Sequence, residues 1–215
     1  MAVVSLAKNA KKAFEAVYKL VNAFPEKPKS VSMEGRFAQC NFCGTRGIRE
    51  IFVANASDEI FLPGFPNFSI DMDLLAELKK PKILVDIKDG DNCVTITKLA
   101  TEKIPDEKIT LHEHDWKRKE NPFDLLDSLE WVELELPSSF DVVKYNFETG
   151  NIALPGAEDT KGAVLYIDNK IMPKDKMRGT CYLAIEAYEE NFIYPIIYCE
   201  GENFKILIRY MKILS

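Results

Sequence analysis

The first two dozen residues constrain the fold most. From Ser5 to Ala23, Leu6, Ala10, Ala13, Phe14, Val17, Leu20 and Val21 recur at steps of three and four, and Phe24 follows. That spacing builds one continuous apolar side of a helix. Lys8, Lys11, Lys12 and Lys19 fall on the opposite side, with Glu15 among them. Pro25 and Pro28 stop the helix. Its lysine side is either a solvated exterior or a surface for phosphates.

Strand signals follow. Ser30 to Cys43 alternates loosely, Gly44 to Gly47 reads as a turn, and Ile48 to Ala54 is a strand by its β-branched and aromatic content. Asn55 to Asn67 carries two prolines and a glycine and reads as a loop. Phe68 to Ile70 leads into a short helix from Met72 to Lys80, with Asp71 as its cap and Pro81 as its stop. The tail of that helix is basic through Lys79, Lys80 and Lys82. KILVDIK and NCVTITK form a hairpin about Asp89-Gly90-Asp91. Residues 1 to about 99 thus read as an α+β unit.

The polar stretch from Leu99 to Asn121 reads as a connection, because it is long for a loop within one domain. Beyond it, PFDLLDSLEW suggests a short helix or turn and VELELP a strand. PSSFDVVKYNF suggests a short helix capped by Ser138 or Ser139. AVLYIDNKIMP reads as strand, turn, strand, and TCYLAIEAY as a strand. A closing hairpin turns at Glu200-Gly201-Glu202-Asn203. The expected architecture is α+β, with two pseudo-repeated domains at 1–110 and 111–215. Each carries short helices on a mainly antiparallel sheet.

Composition narrows function by exclusion. An apolar content of 47% with 29% charge fits a globular chain and excludes disorder. A net charge of −6 argues against coating nucleic acid with the whole surface, but not against a local basic patch. No run approaches ~18 apolar residues, so no transmembrane helix is expected. The N-terminus lacks the order of a signal peptide, and the five cysteines are an odd number. A reducing, cytoplasmic setting is the expectation.

Catalytic motifs are absent. No nucleophile elbow, HExxH or phosphate-cradling glycine loop occurs. Cys40-Asn41-Phe42-Cys43 is a CxxC without a second pair, placed in a strand where its two cysteines point to opposite faces. It reads as structural, with metal or redox use as the lesser alternative. His112 and His114 could share a strand face, but no third metal ligand is close in sequence. Asp168, Asp175 and Glu186, with Lys174 or Lys176, give the one carboxylate set that could serve a metal-dependent nuclease.

The segment order resembles the DNA sliding clamp family, the ring-shaped processivity factors of replicative polymerases. SLAKNAKKAFEAVYKLV resembles a clamp's first helix. IREIFVANAS, then FSIDMDLLAELKKPKILVDIKDGDNCVTIT, resembles the strand, helix and hairpin that close a clamp domain. LATEKIPDEK and NPFDLLDSLEWVELELPSSFDVVKYN resemble the inter-domain crossing and entry into the next domain. EDTKGAVLYIDNKIMPKDKMRGTCYLAIE resembles that domain's opening strands. After Tyr188 a second helix is either compressed into EENFIYP or absent, which would make the second lobe a degenerate copy.

The resemblance implies a non-enzymatic protein without cofactor or metal that encircles duplex DNA irrespective of sequence and tethers a polymerase. It implies a clamp loader as a second partner and a homo-oligomer, with a trimer favoured for a two-domain chain. Lys8, Lys11, Lys12, Lys19, Lys79, Lys80 and Lys82 would line the inner surface. The competing classes are the nuclease above and a protein-binding module on a clamp-like scaffold.

Overall fold

The N-terminal apolar stripe does form a helix, α1, spanning Ala2–Val21. The computed structural model describes residues 2–34, 37–44, 47–54, 56, 68–78, 84–90, 93–99, 107–112, 121–153, 163–189, 192–210 and 213–214. After α1 come β1 (Ser30–Glu34), β2 (Phe37–Gly44), β3 (Gly47–Ala54), β4 (Phe68–Asp71) and α2 (Met72–Leu78). Then follow β5 (Leu84–Gly90), β6 (Cys93–Leu99) and β7 (Glu107–His112). A 3-10 helix at Pro122–Asp127 precedes β8 (Val132–Glu133), β9 (Val142–Asn146), β10 (Ile152–Ala153) and β11 (Val164–Asp168). Last are β12 (Thr180–Glu189), β13 (Phe192–Gly201), β14 (Phe204–Tyr210) and β15 (Ile213–Leu214). The fold is α+β with mainly antiparallel sheets.

One nine-stranded sheet dominates, in the order β4-β1-β2-β3-β14-β13-β12-β8, with β15 beside β13. Two three-stranded sheets, β5-β6-β7 and β10-β9-β11, complete the set. The large sheet joins early and late sequence at one seam, where β3 pairs with β14 from Lys205↔Ala54 to Tyr210↔Arg49.

The seam buries apolar residues on both of its faces. Ile51 and Val53 of β3, with Ile206 and Ile208 of β14, face a core that also takes in Phe14, Val17, Leu20 and Val21 of α1. Leu75 and Leu78 of α2 and Val143, Leu165 and Ile167 of the small β9–β11 sheet belong to that same core. The intervening Phe52 and Leu207 face the other way, into a cluster with Phe37, Ile196, Tyr198 and Phe123. Leu125 and Leu126 of the 3-10 segment, with Leu129 and Trp131 just after it, cover that second face. Asn121 starts the segment by accepting the Phe123 N–H on its side chain at 3.3 Å.

A polar ladder crosses the second face. The Arg209 guanidinium donates to Glu186 at 2.7 Å, lies 3.6 Å from Glu50 and stacks 5.6 Å from the Phe52 ring. Gln39 donates to Glu50 at 3.1 Å. Arg209 therefore links residues of β3 and β12 through charge-assisted contacts at a half-buried site.

Pro195 sits inside the central strand β13, where a proline removes a ladder donor. The chain accommodates it with a register shift between Ile185 and Ala187 of β12, directly opposite. On the other flank, β14 pairing reaches only Ile196, and β15 takes over at Ile193.

Several expectations change. PSSFDVVKYNF is not a helix: Val142–Asn146 is a strand, with Val143 and Tyr145 buried at period two. Asn146 then accepts from the Glu148 and Thr149 N–H groups at 2.8 and 3.0 Å, and Gly150 adopts φ +69. These interactions turn the chain back into β10. Asp168 accepts the Lys170 N–H at 2.9 Å and opens a 3-10 turn at Asn169–Ile171 where a second strand was expected. The Leu99–Asn121 connection contains β7, which pairs with β6. The two α-helices among the described residues lie in the first half. Among the described residues after 110, helical structure is limited to three 3-10 segments.

The α1 docking generates a stability prediction. Phe14 is fully buried, so Phe14→Ala should lower the unfolding free energy by about 3–5 kcal/mol. Urea unfolding followed by circular dichroism measures it; a loss under about 1 kcal/mol would mean that α1 does not pack as described.

Candidate nucleic-acid interface

The two sides of α1 separate by physical necessity. Ala13, Phe14, Val17, Leu20 and Val21 are buried, while Lys12, Glu15 and Lys19 are exposed. Positions 12, 15 and 19 follow steps of three and four and so share one helix face. Lys8 extends the same row, and Lys11 lies in α1 beside it; their side chains fall outside the described residues. Lys79, Lys80 and Lys82 also fall outside the described residues.

The C-terminal end of α1 carries a basic group that sequence reading does not assemble. Lys19 shares a cleft of about 450 Å³ with Lys176, Met177, Gly179 and the Glu202-Asn203 turn. The segment bearing Lys176 is held against the helix end through its backbone. The Lys174 N–H donates to the Ala23 carbonyl at 2.9 Å, and the Glu26 N–H donates to the Lys170 carbonyl at 3.3 Å. Lys170, Lys174 and Lys176 are all exposed. Lys27 donates to the Asn22 carbonyl at 2.7 Å and to that of Phe24, both just past the end of α1. Burial, and then the charge of Lys174, push the Lys27 amine down from its ordinary range. The grouping depends on a fold-back of about 150 residues, so no local spacing announces it.

The loop is fixed by Arg178, which is 5% exposed. It donates to the Pro137 carbonyl at 3.1 Å and to Asn169 at 3.2 Å, and it lies 5.1 Å over the Phe140 ring. Gly179 follows at φ +63, and a Cβ there would collide with the Glu200 carbonyl oxygen. Glycine is required at that turn.

The remaining candidates sort by local chemistry. Asp168 caps the Lys170 turn, Asp175 lies 3.7 Å from Arg178, and Glu186 binds Arg209. The three carboxylates thus serve three separate partners instead of one shared metal. Among the described residues no cluster of three or more His, Cys, Asp or Glu could hold a metal ion. Cys40 is buried in β2, and burial pushes its thiol up to about 12. Cys43 is in the same strand and His112 ends β7, but their side chains, like all of His114, lie outside the described residues. No helix among the described residues is long and apolar enough to cross a membrane.

No family model matches the chain, and no curated protein matches it. The chain is similar to one in the structure titled "C-terminal region of FEN-1 bound to A. fulgidus PCNA". That match has 13% identity, a TM-score of 0.40 and coverage of 96% of each chain. It is also similar to the Proliferating Cellular Nuclear Antigen of Entamoeba histolytica, at 10% identity and a TM-score of 0.38, covering 95% of this chain and 96% of that one.

The buried Cys40 makes alkaline stability testable. Its thiol titrates near 9.0 when unfolded and at about 12 when folded, so the folded state holds a proton that the unfolded state releases between those values. The stabilisation is complete below pH 9 and is lost as the pH rises towards 12. In urea titrations across that window, Cys40→Ala should flatten the fall in stability by up to about 1.4 kcal/mol per pH unit. An unchanged slope would show that Cys40 is not sequestered.

Proposed function

We propose that the chain is a non-catalytic, sliding-clamp-like processivity factor that holds duplex DNA without reading its sequence. The observation that carries this is the division of α1: Phe14, Val17, Leu20 and Val21 are locked into the core, while Lys12 and Lys19 stay exposed on a chain of net charge −6. An acidic body with a confined basic face attracts phosphates at that face alone. Contacts of this kind position a duplex but carry no base information.

The contacting set is Lys12 and Lys19, with Lys8 and Lys11 on the same helix. Lys79, Lys80 and Lys82 extend it, as the clamp resemblance implies. Lys174 and Lys176 continue the surface past the helix end. Self-association into a ring, with a trimer favoured for a chain of two pseudo-repeated halves, would make retention topological. A polymerase and a loader are the implied protein partners.

The triple substitution Lys12→Glu, Lys19→Glu and Lys176→Glu should weaken duplex binding. It should also reduce the slope of log K against log salt by about 0.9 for each lysine that meets a phosphate. Fluorescence anisotropy at several salt concentrations reads both, with circular dichroism as the folding control. A folded triple variant with unchanged affinity and slope would overturn the assignment of this face. Sedimentation equilibrium tests the ring separately: a closed oligomer is expected, and a strict monomer at high concentration would refute self-assembled encirclement.

A further inference from the structure

Cys181 of β12 and Cys199 of β13 stand directly opposite each other. The Cys181 carbonyl accepts the Leu134 N–H at 2.8 Å, just beyond β8. Its backbone polar groups thus point away from β13, because in an extended strand the N–H and C=O of one residue share a side. The two cysteines are therefore a non-hydrogen-bonded pair, the closer type, with Cα atoms ~4.5 Å apart. That lies within the ~4.4–6.8 Å that a disulfide spans. The sulfurs are 2.7 Å apart, both thiols are free, and both are buried.

We propose that Cys181 and Cys199 form a redox-modification site, closed to a cross-strand disulfide by hydrogen peroxide. Cys181 is 4% exposed and Cys199 0%, so Cys181 reacts first. Its thiolate sulfur attacks one peroxide oxygen, the O–O bond breaks, and the departing hydroxide takes a proton to become water. Cys181 then carries a sulfenic acid. The Cys199 sulfur attacks the Cys181 sulfur, the S–O bond breaks, and the hydroxyl leaves as water with the Cys199 proton. Two thiols and one peroxide give one disulfide and two waters, with the thiols losing two electrons.

The location sets the rate. The pair lies at the open end of the β12–β13 hairpin, two residues from both Gly179 and Gly201. Burial holds the Cys199 thiol well above its ordinary range, and the hydrogen bond with Cys181 adds to this. Reaction therefore follows local opening of the hairpin end. Cys40 does not compete as a partner, because β3 and β14 lie between its strand and this hairpin.

The test uses the whole unmodified chain. After peroxide treatment it is denatured, alkylated with iodoacetamide and cut with trypsin. Cleavage after Arg178 and Lys205 releases one peptide, residues 179–205, that contains both cysteines. The expected peptide is two hydrogens lighter and carries no alkyl group; prior treatment with dithiothreitol returns it to the doubly alkylated form. Oxidised protein should also melt at a higher temperature, reversibly on reduction. A doubly alkylated peptide, at peroxide doses that oxidise a free-thiol control peptide, would overturn the proposal. So would oxygen added to Cys181 without a link to Cys199. The outcome is independent of whether the chain meets DNA.

Discussion

Everything in the large sheet depends on the pairing of β3 with β14. Each strand presents apolar side chains on both faces, so neither can sit at an edge beside water. Pairing them satisfies both backbones and makes a surface wide enough to receive α1 on one face and the 3-10 segment on the other. Arg209 reinforces this register at the half-buried second face, where its contacts with Glu50 and Glu186 resist a slip. A one-residue slip would exchange the two faces and put Glu50 where Ile51 now packs.

The candidate interface inherits its rigidity from that seam. The core formed by Ile51, Val53, Ile206 and Ile208 includes the apolar side of α1. The loop that carries Lys174 and Lys176 is then pinned to the helix end by backbone hydrogen bonds and by Arg178. The lysines at the helix end therefore come from elements with fixed backbones.

Much of this was legible in the sequence where a local pattern decided the outcome. The α1 stripe, the β5–β6 hairpin and the closing β13–β14 hairpin each follow from period and turn chemistry. Errors arose where a side chain redirected the backbone. Ser138 and Ser139 look like helix caps, yet Val142, Val143 and Tyr145 favour an extended chain, and Asn146 with Gly150 supplies the turn that completes a hairpin. The basic helix face was readable from spacing. The approach of Lys174 and Lys176 to it was not, because it depends on a distant segment returning to the end of α1. The register of Cys181 with Cys199 was equally hidden: the bulge opposite Pro195 shifts the count between the two strands by one.

The seam also has a consequence for synthesis of the chain. A ribosome that has just completed β3 at Ala54 has the whole stretch up to Phe204 still to make before β14 can begin to pair with it. At about 5–20 residues per second, that is a wait on the order of ten to thirty seconds. During it, the Ile51, Phe52 and Val53 edge is an apolar strand without its final neighbour, the kind of edge that pairs with the wrong chain. The nascent protein is therefore most vulnerable to aggregation in the interval before β14 is available to pair with β3.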